Sequence, residues 1–197
     1  MRPVYHFTNI GNLPGIIQHG LKADTNLQTG SYINSGNQEI KLRRQYCRVP
    51  FGGVVANYVP FYFAPRSPMM YVQYKNNYIN NNDIIYLVSE ASYLAHRYNW
   101  CCTNKNAAIF DADFFNTLEE MENNISWDVM NAVMWNNTDT EPDRRARRMA
   151  EFLVYQKVEF VDIQLIAVYS MKSLRTIKSI LGESVGCAIS VEQSWYY

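Results

Sequence analysis

The chain has 197 residues, of which 48% are hydrophobic and 18% charged, so it can bury a substantial core and is not a disordered protein. Its formal net charge is zero, which argues against a globally basic nucleic-acid binder. The four cysteines show no zinc spacing or disulfide framework, and the three histidines are too scattered to suggest a metal site. We therefore expect a cytoplasmic protein with reduced thiols, no membrane span and no bound metal.

The amino-terminal segment predicts a strand followed by a short helix. Residues 4–8 alternate and are rich in β-branched and aromatic side chains, so they are typical of a first strand. A helix should run from 12 or 13 to 19, with Pro14 in its first turn and Gly20 ending it. His6 and Thr8 share one face of the strand, either as a satisfied buried pair or as a polar clamp on a small ligand.

The next segments combine a loop, a basic helix and an aromatic stretch. Residues 24–39 are polar and predict a loop, and residues 39–46 predict a helix that carries basic side chains. Such a run is usually a solvated helix face; an arginine turned inward is the alternative. Residues 58–70 are aromatic but interrupted by three prolines, which predicts an irregular strand or edge strand leading into a helix over 69–74.

The second half of the chain alternates strands and helices without an internal repeat or a linker. Strands are predicted over 84–88, 165–169 and 187–191, and helices over 91–98, 110–134 and 174–181. The apolar residues of 110–134 are interpreted as core, with a platform for bases as the alternative. The whole chain, 1–197, is accordingly predicted to form a single mixed α+β domain.

Residues 144–155 hold the pattern on which the functional interpretation depends. A cationic run is followed by Glu151 and then by a short apolar block that predicts a buried strand. Glu151 would lie at the mouth of this strand with four arginines nearby in sequence, which favours its ionised form. The simpler interpretation is an ordinary ion pair at the end of an element. Two basic patches on a neutral chain nevertheless suit a confined anionic ligand.

Several segments together carry a family resemblance. They are Tyr5-His6-Phe7-Thr8, Asn12-Leu13-Pro14-Gly15-Ile16, Ile40-Lys41-Leu42-Arg43-Arg44, the stretch from Tyr58 to Met69, Ala150-Glu151-Phe152-Leu153-Val154 and the terminal Trp195-Tyr196-Tyr197. In this order they resemble the DarT family of bacterial toxins, over nearly the whole chain. The resemblance implies a poly-ADP-ribose-polymerase-like fold, with a split central sheet surrounded by helices. It also implies transfer of ADP-ribose from NAD to thymine in single-stranded DNA.

The resemblance assigns roles residue by residue. It implies that Glu151 and Arg44 are catalytic, and that NAD is held by His6, Thr8, Gly15, Leu21, Arg44 and Tyr62. The region from about 111 to 150 matches the segment that shapes the substrate-base site. Two departures stand out: Asn57 replaces a common Asp, and residues 101–106 lack the family's Phe-Thr-Asp-x-His-like pattern. The role of that second segment therefore stays open.

The remaining basic residues and the partners follow from the same resemblance. Single-stranded DNA is expected to contact Arg43, Arg48, Arg144, Arg145, Arg147 and Arg148. The other expected partners are NAD and a macrodomain antitoxin that reverses the modification, with the enzyme acting as a monomer. Two alternatives remain: an enzyme similar to the NAD-dependent RNA 2′-phosphotransferases, or a non-catalytic nucleic-acid-binding module.

Overall fold

The computed structural model describes residues 2–28, 30, 32–182 and 186–197. Its strands form a large mixed sheet and a small two-stranded sheet. The large sheet contains β1 (Pro3–Asn9), β3 (Tyr58–Tyr62), β4 (Ile84–Glu90), β5 (Trp100–Thr103), β6 (Phe114–Phe115), β7 (Glu151–Tyr155), β9 (Leu165–Val168) and β10 (Ala188–Val191). The small antiparallel sheet pairs β2 (Leu21–Lys22) with β8 (Lys157–Val158).

Helices surround the large sheet. They are α1 (Leu13–His19), α2 (Gln38–Arg44), α3 (Pro68–Lys75), α4 (Ala91–Arg97), α5 (Leu118–Asn124), α6 (Trp127–Asn131), α7 (Arg144–Arg147) and α8 (Met171–Leu181). The predicted end of α1 is confirmed: Gly20 has φ +77°, and a Cβ there would lie 2.8 Å from the carbonyl oxygen of Val158. None of the helices in the described ranges is long and apolar enough to cross a membrane.

The large sheet is divided near its middle, which confirms the expected split α+β core. Its strand order is β10-β9-β4-β1-β3-β7-β5-β6. Strand β1 pairs with β4 at seven positions, from Pro3 to Asn9, but with β3 only where Tyr5 lies opposite Tyr62. Since the ladder between β1 and β3 is nearly absent, side chains of β1 can enter the gap and line a cavity there.

Strand β3 corrects the expectation of an edge strand, because it lies inside the sheet between β1 and β7. Proline normally avoids such positions since it cannot donate to the ladder. Here Pro60 lies opposite Leu153 of β7, and its carbonyl oxygen is 2.7 Å from Nδ1 of His6 on β1. The nitrogen of Pro60 therefore points toward the gap between β1 and β3, where no ladder hydrogen bond requires an N–H donor.

Several other boundaries differ from the sequence expectation. Residues 114–115 form strand β6, although residues 110–134 were predicted to be helical, because the pair docks on β5 at the sheet edge. The predicted loop 24–39 ends one residue after α2 begins, and its residues 29 and 31 lie outside the described part of the chain. Strand β5 was missed, since its two cysteines and one tryptophan carry little periodic signal.

The core occupies both faces of the sheet. On β1, Val4 belongs to the larger apolar cluster and Tyr5 to a second one, because successive strand residues face opposite sides. The second cluster also holds Tyr86 and the carboxy-terminal Tyr196, whose hydroxyl donates to the carbonyl oxygen of Ala167 at 2.9 Å. The terminal aromatic residues are thus part of the packed interior.

Candidate active site

A buried ion pair joins the end of helix α2 to the start of strand β7. Arg44 and Glu151 are 6% and 0% exposed, and Arg44 Nη1 donates to Glu151 Oε2 over 2.6 Å. The second carboxylate oxygen, Oε1, accepts the backbone N–H of Ala107 at 3.1 Å. Two donors, one of them charged, therefore hold the carboxylate in a single orientation.

The cation beside Glu151 is not one of its sequence neighbours. The sequence suggested four arginines at 144–148, but the partner is Arg44, 107 residues earlier in the chain. Within the described residues, Arg144 and Arg147 pair with Glu141 instead. The ion pair therefore depends on the sheet and on α2, and local sequence does not create it.

Arg44 is charged and has a donor to spare. Burial lowers the pKa of its guanidinium, but the charge and hydrogen bond of Glu151 outweigh this and raise the pKa above the ordinary value. Its Nη2 atom is buried without a hydrogen-bond partner in the described structure. An unsatisfied buried donor costs roughly 1–3 kcal/mol, which an oxygen atom of a bound ligand would recover.

Arg44 lines a cavity of about 470 Å³, a size typical of small-molecule sites. Every residue expected to hold NAD also lines it, namely His6, Thr8, Gly15, Leu21, Arg44 and Tyr62. Glu151 does not line the cavity itself, but Arg44, which does, binds it. The structure thus brings the expected residues to one place.

His6 is fixed in a single neutral tautomer. A carbonyl oxygen only accepts, so the 2.7 Å contact with Pro60 O places the proton on Nδ1. Desolvation lowers the pKa of the imidazole to about 4, which keeps it uncharged at neutral pH. The remaining ring nitrogen, Nε2, is therefore a hydrogen-bond acceptor, suited to a hydroxyl group of a bound ribose.

Asn12 is a site residue whose role sequence reasoning missed. Its amide donates to Thr8 Oγ1 at 3.0 Å and to Ile33 O at 2.9 Å, and its Oδ1 accepts Ile33 N–H at 2.7 Å. Asn12 thereby attaches the cavity-lining segment around Ile33 to the end of β1.

Tyr62 connects the cavity to the ion pair. It lies opposite Glu151 in the β3–β7 ladder and is 9% exposed. Burial, followed by the negative charge of Glu151, raises the pKa of its phenol, which therefore stays protonated. Its ring stacks on Phe7 with a centroid separation of 6.2 Å and an interplanar angle of 11°. A flat, neutral aromatic side chain therefore borders the cavity beside the carboxylate.

The segment after β5, whose role the sequence left open, contributes directly to this site. Ala107 supplies the backbone N–H that binds Glu151, and the neighbouring Asn106 lines the cavity. No sequence signal indicated this, since the segment lacks the family pattern. Asn106 is only 5% exposed, and such burial cannot be seen in the sequence composition.

The arginines outside the cavity differ in their surroundings. Arg43, Arg48 and Arg145 are exposed, and Arg43 pairs with Glu39. Arg144 and Arg147 are half-buried and hold Glu141. Arg148 is buried, and its guanidinium donates to four backbone carbonyl oxygens, those of Pro65, Val129, Met130 and Ala132. In this conformation Arg148 has no surface to offer a DNA phosphate.

In the described ranges there is no group of three or more histidine, cysteine, aspartate or glutamate side chains placed to hold a metal ion.

Known proteins are similar to this chain in both sequence and fold. A DNA ADP-ribosyl transferase of Thermus sp. strain 2.9 is 34% identical over 205 residues, covering 99% of this chain and 96% of the relative. One of Mycobacterium tuberculosis is 31% identical over 187 residues, covering 90% of this chain and 81% of the relative. The structure of Thermus sp. 2.9 DarT with ADP-ribosylated single-stranded DNA matches at TM-score 0.91 and 32% identity, covering 100% and 96% of the two chains. The same protein in complex with NAD⁺ matches at TM-score 0.87 and 32% identity, covering 100% and 98%.

The split sheet and the cavity lined by Arg44, whose guanidinium binds Glu151, define together with these likenesses a DNA ADP-ribosyltransferase that uses NAD as co-substrate. The chain belongs to the DarT family, because the family model described as "ssDNA thymidine ADP-ribosyltransferase, DarT" matches residues 5–197. The resemblance seen in the sequence is thereby confirmed.

Proposed function

We propose that this protein transfers ADP-ribose from NAD to a ring nitrogen of thymine in single-stranded DNA and releases nicotinamide. The observation that carries the proposal is the buried pair of Arg44 and Glu151 at a cavity lined by all of the expected NAD residues. Membership of a family whose model is named for thymidine in single-stranded DNA supports the choice of acceptor.

The proposed reaction exchanges one glycosidic bond for another. The bond between nicotinamide and ribose breaks, and its electron pair leaves with nicotinamide. The thymine ring nitrogen forms the new bond to the ribose carbon, and its proton passes to the carboxylate of Glu151. Between these events the ribose carries positive charge, which a fixed negative group stabilises. Both Glu151 oxygens already accept one hydrogen bond each but keep further lone pairs for a ribose hydroxyl.

Arg44 is proposed to act on both partners. Its unpartnered Nη2 is a donor for an oxygen of NAD or of the base. Its charge, held beside the carboxylate, stabilises the thymine ring as that ring loses its proton. His6 and Thr8 are proposed to bind ribose hydroxyls, with Gly15 and Leu21 shaping the wall and Tyr62 packing on the nicotinamide side.

Single strands are preferred in this proposal for a physical reason. The attacking ring nitrogen of thymine is occupied by base pairing in a duplex, and freeing it costs a few kcal/mol. The exposed Arg43, Arg48 and Arg145 are proposed to contact backbone phosphates, with smaller contributions from Arg144 and Arg147, which already hold Glu141. Arg148 is left out of this set, because its guanidinium is buried among carbonyl oxygens.

The biological role is proposed from the family. The protein would act as the toxin of a toxin–antitoxin system in the bacterial cytoplasm, where NAD and DNA meet. A macrodomain antitoxin would remove the ADP-ribose. All of the residues proposed to hold NAD belong to one chain, and we propose that the enzyme acts as a monomer. Expression should arrest bacterial growth, and Glu151→Gln should relieve the arrest.

The decisive experiment uses purified protein, NAD and oligonucleotides. Mass spectrometry should show one added ADP-ribose on a single strand with one thymine, far less on its duplex and none on the same strand with thymine replaced by cytosine. Equal modification of duplex and single strand, or modification of protein in place of DNA, would overturn the proposal. NAD-dependent transfer of a phosphate from RNA would support the phosphotransferase alternative, and DNA binding without NAD consumption the non-catalytic one.

A further inference from the structure

The cavity contains an ion pair that lies one helical turn from Arg44. Lys41 and Arg44 are three residues apart on α2, so their side chains lie on the same side of that helix, and both line the cavity. Lys41 Nζ donates to Asp24 Oδ1 at 2.8 Å, and Asp24 follows Leu21 closely in the same wall. The two paired side chains are 24% and 27% exposed. Lys41 is therefore a half-buried cation in the wall of the cavity assigned to NAD.

The ammonium group of Lys41 has more hydrogen-bonding capacity than its partners use. An ammonium group carries three N–H donors. One of them binds Asp24, and a second makes only a long contact of 3.5 Å with the hydroxyl of Tyr32, whose ring centroid lies 4.8 Å from Nζ. Within the described residues the third N–H has no partner. Asp24 and Tyr32 thus fix the position of Nζ and leave it a donor for an anion.

A second polar group in the same wall lacks a partner. Ser35 lines the cavity, and its Oγ atom is buried without a hydrogen-bond partner in the described structure. The next residue, Gly36, packs on the stem of Lys41, since a Cβ on this glycine would lie 3.3 Å from Lys41 Cε. Ser35 is therefore one residue away from a direct contact of Lys41. An unsatisfied buried hydroxyl group destabilises the protein unless a ligand binds it.

The charges of this ion pair act on a residue that is already assigned to NAD. Desolvation is the main cause of the low pKa of His6. The charge of Asp24 also raises this pKa, whereas those of Lys41 and Arg44 lower it, so these side chains lie within electrostatic range of His6. The cavity is thus lined by three groups with unused hydrogen-bonding capacity, namely Ser35 Oγ, Lys41 Nζ and Arg44 Nη2.

The chemistry of NAD indicates which part of it meets these donors. Its only anionic part is the pyrophosphate, which accepts hydrogen bonds at several oxygen atoms and is joined directly to the ribose that reacts. Three residues of helix advance about 4.5 Å, so Lys41 lies roughly that far along α2 from Arg44. When Arg44 is beside the reacting ribose, Lys41 faces the phosphates. The residue between them in number, Arg43, is exposed and binds Glu39 outside the cavity.

We propose that Lys41 and Ser35 bind the pyrophosphate of NAD through Nζ and Oγ, and that Asp24 positions Lys41 for this contact. The inference rests on the proposed function only for the use of NAD, and not for thymine as the acceptor. The ion pair holds the ammonium group in place before NAD arrives, so less side-chain freedom is lost on binding.

Three variants separate binding of the phosphates from support of the cavity wall. Lys41→Met removes the charge and keeps the stem that packs on Gly36. Ser35→Ala removes only the hydroxyl group, and it should not lower the Tm because that group is unsatisfied in the free protein. Asp24→Asn weakens the ion pair but leaves the cation in the cavity. Arg43→Ala is the matched control, since it removes a cation from the same helix outside the cavity.

The expected result is a loss of affinity that depends on the phosphates of the ligand. Calorimetry with carba-NAD⁺, which cannot release nicotinamide, and with ADP-ribose should show a Kd raised about fivefold to fiftyfold in Lys41→Met. In Ser35→Ala the same Kd values should rise about threefold to tenfold. Binding of adenosine, measured by NMR titration, should be unchanged in both variants because adenosine has no phosphate. Asp24→Asn should keep its Kd for carba-NAD⁺ within about threefold, since the cation remains.

Comparison with DNA binding distinguishes the two sources of phosphate. Lys41→Met should bind single-stranded DNA as the wild-type protein does, whereas Arg43→Ala should weaken DNA binding and leave the Kd for carba-NAD⁺ unchanged. If Lys41→Met weakened binding of DNA and not of carba-NAD⁺, Lys41 would contact a DNA phosphate and the inference would be overturned. Equal losses for adenosine and ADP-ribose, or in Lys41→Met and Asp24→Asn, would show that the ion pair only supports the wall, which also overturns it.

The outcomes separate this inference from the proposed function. If the protein binds carba-NAD⁺ with the expected dependence on Lys41 and Ser35 but does not modify thymine, only the proposed acceptor is wrong. If it modifies thymine while Lys41→Met and Ser35→Ala bind carba-NAD⁺ as tightly as the wild-type protein, only the assignment of the pyrophosphate contacts fails.

Discussion

Two arginine-rich regions look alike in the sequence and play different parts in the structure. Residues 41–48 and 144–148 each place several cations close together, and each turns one arginine into the interior. Arg44 meets a carboxylate at a cavity, whereas Arg148 meets four carbonyl oxygens and no acidic side chain within the described residues. The partner, more than the charge, therefore indicates the role of a buried arginine.

The partners of Arg148 explain how a cation without a carboxylate is tolerated. Three of its four acceptors are the carbonyl oxygens of Val129, Met130 and Ala132 at the end of α6, where carbonyl groups carry partial negative charge. The fourth, Pro65, lies in the turn before α3. Burial lowers the pKa of this guanidinium, but it stays protonated. Arg148, three residues before Glu151 in the chain, thus links the end of α6 to the turn before α3.

The largest effect is expected when Arg44 loses its carboxylate. Glu151→Gln keeps the shape and removes the charge, so transfer should slow by roughly a hundredfold to a thousandfold. Alanine is a poorer choice, because it would leave Arg44 charged, buried and unpaired. Initial rates of nicotinamide release with single-stranded DNA measure the effect. Glu159→Gln, at an exposed glutamate directly after β8, is the control, and near-wild-type rates in Glu151→Gln would refute the assignment.

The second test asks whether Arg44 is needed for its geometry as well as its charge. Arg44→Lys keeps the cation but loses the planar fork that binds Glu151 and leaves Nη2 for a ligand, so transfer should fall by about a hundredfold. Arg43→Lys, one residue away and exposed, should remain within about twofold. If Arg44→Lys were active and Arg43→Lys inactive, the catalytic role would belong to Arg43 and not to Arg44.

The third test concerns Arg148, where stability should respond more than chemistry. Arg148→Met keeps the apolar stem and removes a hydrogen bond from four carbonyl oxygens, so the free energy of unfolding should fall by roughly 2–4 kcal/mol. Urea unfolding measures this loss, and the salt dependence of DNA binding below the transition should keep its slope. Unchanged stability with a flatter salt dependence would show that Arg148 contacts DNA phosphates after all.

The smallest effects belong to the exposed arginines. Replacing Arg43, Arg48 or Arg145 with alanine should weaken binding to single strands only a few-fold and reduce the slope of log K against log salt by about 0.7 each. Arg175, an exposed arginine on α8, is the matched control and should leave the slope unchanged. If Arg175→Ala reduced the slope equally, the slope would depend only on the net charge of the protein and not on particular arginine–phosphate contacts.

Local patterns in the sequence were sufficient for most of the secondary structure. Alternation identified β1, a proline and a glycine bracketed α1, and the apolar block after Glu151 identified β7. Motifs spread over the chain also identified the family and with it the candidate site. These features could be predicted because each strand, helix or single motif consists of residues that are close together in sequence.

The exceptions arose where distant contacts override local preference. Pro60 suggested an edge strand, yet the gap between β1 and β3 admits a proline inside the sheet. Phe114 and Phe115 fit a helical pattern, yet docking on β5 makes them a strand. In both cases the neighbouring strand decides the outcome, and that strand is remote in the sequence.

The same distinction holds for the site. The residue types needed for ADP-ribose transfer, a glutamate, arginines, a histidine and hydroxyl groups, are all visible in the sequence, and the family motifs identify which of them to examine. Their pairing is not visible there: Glu151 has four arginines as near neighbours and binds Arg44, 107 residues away. The inward turn of Arg148 was equally hidden. Charge and polarity are properties of single residues, whereas burial and hydrogen-bond satisfaction exist only once the sheet has brought distant segments into contact.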